Sequence, residues 1–296
     1  MTRVRLGFLV LMAAIGLVGC SGYSSTGPAP DMDAAVKIRA TMVSAKAATG
    51  AAADKTASAA QKFDGWASLK GRFVFEGAAP SPQSIKPTKD QDVCGAHPLL
   101  NESIVIGGDK GVANVIVFVR TPKLPVNDEY AKTAADTVVL DNKGCRFQPH
   151  VLGIRVGQTL ELKNSDPVAH NSNIKGSLLN ANPLIPAGST FDTRVDAAEG
   201  QPIIVTCNIH DWMKGWIVAR PDPYFAISDA AGNFEIKDLP AGDLEFQVQH
   251  ESAGPIVVAR SDLNWSDKGR FQVSLKKGEE KDLKDLTITA AALKIQ

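Results

Sequence analysis

The chain has 296 residues, 44% of them apolar, and its 32 basic residues are balanced by 32 acidic ones. That balance leaves no basic stripe to neutralise phosphates, which excludes nucleic acid as a partner. More than 200 residues beyond position 65 supply enough apolar sequence for a sizeable core.

Arg3 and Arg5 precede an uncharged apolar run, Leu6 to Val18, that is too short to persist as a membrane-spanning helix. A positive head followed by such a run predicts a signal peptide over residues 1–19. It ends in Leu17-Val18-Gly19-Cys20, which resembles the bacterial lipobox. That resemblance implies lipidation of Cys20, an anchor in a membrane surface and no spanning segment. An ordinary signal peptide with an incidental cysteine is the alternative. Residues 20–64 are rich in Ala, Ser, Thr, Lys and Gly, bury little, and read as a flexible tether. A packed N-terminal helix is the competing reading. The expected location is a bacterial cell envelope, facing the periplasm or the cell surface.

Export places thiols in an oxidising compartment. With Cys20 lipidated, Cys94, Cys145 and Cys207 remain, an odd number. One pair can form a disulfide, one thiol is left over, and a metal is its simplest occupant.

From Trp66 short β-rich runs alternate with Gly, Pro, Asn and Asp: 69–75, 104–106, 115–119, 137–140, 159–162, 203–207 and 216–219. No helical pattern intervenes, so the expectation is an all-β sandwich over residues 65–220. After Pro221 a second rhythm begins, with strands expected at 224–228, 233–236, 244–248, 256–259, 271–275 and 283–288. Its stretch Phe225 to His250, with a turn at 229–233 and a Leu239-Pro240-Ala241-Gly242 turn, resembles carboxypeptidase regulatory-like and transthyretin-like modules. The resemblance implies a second small β-sandwich over residues 221–296 that carries no chemistry and packs with the 69–75 strand.

The string Cys207-Asn208-Ile209-His210-Asp211-Trp212-Met213 lies between two apolar strands. A thiolate, an imidazole and a thioether within seven residues form the soft donor set of blue-copper electron transfer, which requires one further imidazole. Upstream, the strand at 160–164 turns through Ser165-Asp166-Pro167, and His170 follows directly before Asn171.

Residues 156–171 and 207–213 resemble the cupredoxins of the plastocyanin/azurin superfamily, and the Cys-x2-His-x2-Met spacing is similar to that of amicyanin. The resemblance covers roughly residues 138–220 and implies a Greek-key β-sandwich with one mononuclear type 1 copper. Its ligands would be His170, Cys207, His210 and Met213. With Cys145–Val151 and Gln249–Glu251, the chain also resembles methylamine-utilisation-type or plastocyanin-like bacterial lipoproteins.

Two departures accompany the resemblance. Asp211 follows His210 where amicyanin-like loops often carry proline, which places a carboxylate near the axial position. Trp212 and Trp216 are bulky for a docking surface. Asn171 is expected to tie the two ligand loops together by hydrogen bonds. Cys94 and Cys145 are the expected disulfide, closing about fifty residues. His150 reads as structural rather than as a fifth ligand; His97 and His250 read as ordinary.

The function expected is single-electron transfer between redox proteins of the envelope. The alternatives are copper storage or delivery without redox duty, and a metal-free β-sandwich binding module, which requires Cys207 in a disulfide. Enzymatic activity is not expected: the chain has five histidines and no His-x-His motif, too few for further copper sites. Cys207 and His210, neighbours in one loop with no orienting third group, make a poor nucleophile–base pair.

Overall fold

The computed structural model describes residues 63–258, 260 and 262–295. The expected signal peptide, Cys20 and all of the tether except residues 63 and 64 lie outside these. Among the described residues the fold is all-β, with strands throughout apart from one short α-helix, Gln91–Cys94, and one 3-10 helix, Asp128–Thr133. Among the described residues no helix is long and apolar enough to cross a membrane.

Period-two burial explains why these segments are strands. In Trp66–Phe75, Ala67, Leu69, Phe73 and Phe75 face a core while Ser68, Lys70 and Arg72 face partly outward. In Thr159–Asn164, Leu160, Leu162 and Asn164 are buried, and Thr159, Glu161 and Lys163 alternate with them.

The metal-site half is built from two sheets. One orders its strands Asn180–Ala181, Asn173–Lys175, Ile203–Thr206, Lys214–Arg220 and Val151–Arg155. The other orders Thr190–Arg194, Thr159–Asn164, Thr137–Asn142 and Phe147–Gln148. Between them Leu140, Phe147, Ile154, Leu160, Leu162, Ile174, Val205 and Ile217 form one core, and Cys207 and Met213 belong to it.

A second core is enclosed by two further sheets. Trp66–Phe75 is central in the first, antiparallel to Asn233–Pro240 and parallel to Glu280–Ile288. The second joins Phe225–Ile227, Ile116–Val119, Gly242–His250 and Arg270–Leu275. Leu69, Phe73, Val117, Tyr224, Phe234, Phe246, Phe271 and Leu286 fill the space between. Two strands that precede residue 220, Trp66–Phe75 and Ile116–Val119, therefore hydrogen-bond to strands that follow it. The described residues belong to one compact unit.

Ile116, Phe118, Val151 and Val218 make a third apolar cluster where sheets of the two halves meet. The contact is close because position 153 has no side chain: a Cβ there would lie 2.2 Å from the Phe225 ring.

Most expected strands are present, several of them longer than expected. Two segments differ. Ile106 makes only an isolated bridge, to Val112. Residues 256–258 are not a strand; the edge pairing there is Gly254–Pro255 against Gln249 and His250.

Candidate metal centre

Cys207 follows the last residue of strand Ile203–Thr206, and the chain re-enters the sheet at Lys214, paired with Thr206. The intervening loop is closed by its own backbone. Cys207 N–H donates to Met213 O at 3.3 Å, and Met213 N–H donates to His210 O at 3.0 Å. Inside this turn His210 N–H points at Cys207 Sγ, 3.4 Å away. His170 arrives from the other side on the short strand His170–Asn171, which pairs with Leu184–Ile185.

The two imidazoles meet the sulfur through the same ring atom. Nδ1 of His170 lies 3.9 Å from Cys207 Sγ, and Nδ1 of His210 lies 3.7 Å from it. The rings are 4.5 Å apart between centroids. Both histidines are fully buried, and Cys207 and Met213 nearly so. Cys207 is a free cysteine, so the arrangement that a metal-free module requires, Cys207 in a disulfide, is not found. Cys94 and Cys145 are bonded to each other, with Cα atoms 5.4 Å apart.

The donor set and its spacing fit one metal ion. With bonds of about 2.3 Å to sulfur and about 2.0 Å to nitrogen in a trigonal arrangement, sulfur and nitrogen stand roughly 3.7 Å apart. The two observed separations lie at or near that value. His170, Cys207 and His210 form a buried group able to hold a metal ion. Cys145, Asp166 and His170 also lie close together, but the disulfide removes Cys145 sulfur as a donor. Met213 closes the loop by its backbone and buries its thioether in the same core. Asp211 is exposed and stands outside the three-residue group.

Each imidazole is held from behind by a carboxylate. His170 Nε2 contacts Asp166 Oδ2 at 3.0 Å, and His210 Nε2 contacts Asp90 Oδ2 at 2.8 Å. An ionised carboxylate only accepts, so the proton sits on Nε2 in both rings and Nδ1 is turned toward the sulfur. Asp166 is itself fixed by the backbone N–H groups of Gly144 and Cys145, at 2.6 and 2.8 Å. Buried Asn164 accepts from Asp166 N–H and donates to Val168 O and Ile185 O, which sets the turn leading to His170.

Burial opposes a charge on His170, but Asp166 and the Cys207 sulfur outweigh it and raise the ring to about 9. Burial likewise pushes the Cys207 thiol up. The His170 ring and the backbone N–H groups of Asn171, His210 and Ile209 overcome that and lower it to about 6. A thiolate facing a protonated ring is a site ready to exchange a proton for a metal ion.

Asn171 joins the His170 strand to the Cys207 loop. Its Oδ1 accepts from Asn208 N–H at 2.8 Å and lies 3.5 Å from Cys207 Sγ. Trp212 packs on the His210 ring, 5.1 Å between centroids, and donates from Nε1 to Cys145 O at 3.2 Å. Trp216 points elsewhere and donates to Glu251. His150 stands apart from the group, held by Glu251 at 2.6 Å, while His97 is exposed and His250 bonds to Ser252 in the second core. Asp90 and Asp166 are the site residues that sequence reasoning missed. Asp166 left a trace in the Asn-Ser-Asp-Pro turn four residues before His170; Asp90 left none.

No protein-family model matches the chain, and a search of curated proteins returns no match. Among solved structures, a segment covering 28% of the chain is similar to a copper-containing nitrite reductase from Thermus scotoductus. The identity is 24%, the TM-score 0.26, and the match spans 22% of that protein's length. A reduced Cu(I) form of an amicyanin variant is similar over 35% of this chain and 97% of its own, at 18% identity and a TM-score of 0.26. A purple cupredoxin from Nitrosopumilus maritimus is similar over 28% of this chain and 98% of its own, at 22% identity and a TM-score of 0.24.

Proposed function

We propose that this chain is a type 1 copper protein that carries single electrons between redox proteins of the cell envelope. The observation that carries this reading is the convergence of two buried imidazole Nδ1 atoms on one reduced, buried cysteine sulfur. Thiolate with two imidazoles is a donor set that suits copper, and Met213 would supply the weak axial thioether. When bound, the metal supplies a reversible one-electron change of valence.

The residues of the chain limit what else can happen there. His170 and His210 are buried, and a buried ion held by three strong ligands and a weak axial one suits a carrier better than a substrate-binding centre. Cys207 and Met213 sit at the two ends of a loop pinned to adjacent strands, and Asn171 clamps that loop to the His170 strand. Ligands fixed in this way move little between valence states, which keeps electron exchange fast. Lipid on Cys20 would hold the carrier at a membrane near its partners. The 221–296 segment serves as scaffold in this reading.

The test is to add Cu(II) to a chain beginning at residue 21 and record absorption and EPR spectra. An intense orange-red band with narrow copper hyperfine splitting, lost in Cys207→Ser, is the expected result. Tight copper uptake without that band supports storage or delivery instead, and no uptake removes the metal reading altogether.

A further inference from the structure

Asp90 is the first residue outside the N-terminal end of helix Gln91–Cys94, a position where aspartate ordinarily caps the helix by accepting from its first N–H groups. Its side chain makes no such bond here. The carboxylate instead reaches His210 Nε2 at 2.8 Å, across 120 positions of sequence. The backbone at Asp90 is left-handed, φ 46° and ψ 44°, a region that aspartate enters more readily than most non-glycine residues. A carboxylate that leaves the helix end uncapped and bonds a ring 120 positions away is a side chain placed for that ring.

The helix that Asp90 begins ends at Cys94, which is bonded to Cys145. Cys145 is also the residue whose N–H holds Asp166 against His170, and whose carbonyl accepts from Trp212 beside His210. A single disulfide therefore joins the segment that presents Asp90 to His210 with the residue whose backbone holds Asp166 against His170.

We propose that Asp90 is the positioning residue for His210, and that the Cys94–Cys145 disulfide holds it there as part of the outer frame of the metal site. Asp90, itself 42% exposed, fixes the His210 ring with Nδ1 toward Cys207 and strengthens the ring as a ligand. The inference rests on the copper reading above for its metal-binding consequences, but the placement of the ring can be measured without metal.

The experiment compares wild type with Asp90→Ala, Asp90→Asn, Asp90→Gly and the double variant Cys94→Ser/Cys145→Ser. Three readouts apply: the rate of Cu release to a chelator, the copper EPR spectrum, and the His210 tautomer read by long-range nitrogen–proton NMR of the metal-free protein. Removal of such an outer carboxylate weakens metal binding by roughly 10–100-fold. Asp90→Ala and Asp90→Gly should therefore release copper at least about tenfold faster, with altered hyperfine splitting and loss of the fixed Nε2–H tautomer at His210. Agreement between the alanine and glycine variants separates the carboxylate from backbone strain, since glycine relieves the left-handed conformation. Asp90→Asn keeps an acceptor oxygen and should recover part of the effect. The double cysteine variant should release copper as fast as Asp90→Ala.

Copper release and spectra unchanged in Asp90→Ala overturn the positioning role. A double cysteine variant that folds and keeps wild-type release overturns the role of the disulfide. Should wild type take up no copper, the copper reading fails, while a His210 tautomer that is fixed in wild type and scrambled in Asp90→Ala still upholds the placement.

Discussion

With the His170 ring near 9 and the Cys207 thiol near 6, the pair carries one proton over the pH range between those values, held on the ring and given up by the sulfur. A metal ion must displace it from Nδ1. Titrating Cu(II) into weakly buffered protein at pH 7.5 should therefore release about one proton from this pair, and apparent affinity should rise roughly tenfold per pH unit from 6 to 9. A flat profile across that range would contradict the ion-paired description. At this level the grouping of His170, Cys207 and His210 was legible because the last two fall within one seven-residue string and His170 stands just past a turn. The carboxylates behind the rings were not. Hydrogen-bond partners of a ring are chosen by proximity in the folded chain, and Asp90 has no feature in its own neighbourhood that points to position 210.

The strands that carry these residues follow from alternation, and where alternation fails so did their recognition. Val151–Arg155 is flanked on both faces: Leu152 and Ile154 turn to the metal-site core while Val151 meets the opposite half. Its burial lacks the in–out signal of a half-exposed strand, and Gly153 at its centre reads as a breaker. The structure shows why glycine stands there, since the Phe225 ring occupies the space a side chain would fill. Gly153→Ala should destabilise the protein by about 1–3 kcal/mol in denaturant unfolding, with Phe225→Ala in the same chain recovering part of that loss. An equal or additive cost in the double variant would rule out the clash. The disulfide acts at this level too. Breaking the Cys94–Cys145 link, 51 residues apart in sequence, should lower stability by about 2–4 kcal/mol.

Over the whole chain, two β-rich halves were foreseeable from composition and turn spacing, and a link between the 69–75 strand and the C-terminal region was expected. The degree of interleaving was not legible. Ile116–Val119 pairs with Phe225–Ile227 and Gly242–His250, and the pairing of strands far apart in sequence leaves no local signature beyond the apolar run itself. Because the sheets cross position 220, a chain ending at residue 279 should lose more than its last strand. Leu283, Leu286, Ile288 and Leu293 leave the second core with it, and truncating even one such side chain to alanine costs about 2–5 kcal/mol. Hydrogen exchange on that shortened chain should show strands 66–75 and 233–240 unprotected; retained protection there would refute the coupling.

The parallel partnership of Trp66–Phe75 with Glu280–Ile288 also governs the order of assembly. A ribosome must deliver about 200 further residues before the 66–75 segment acquires both of its neighbours, so it waits, apolar and unclosed, through that stretch of synthesis. A message cut short before the codons for 280–288 would thus yield an adhesive fragment with a bare β margin, prone to self-association, in place of a slightly smaller working molecule.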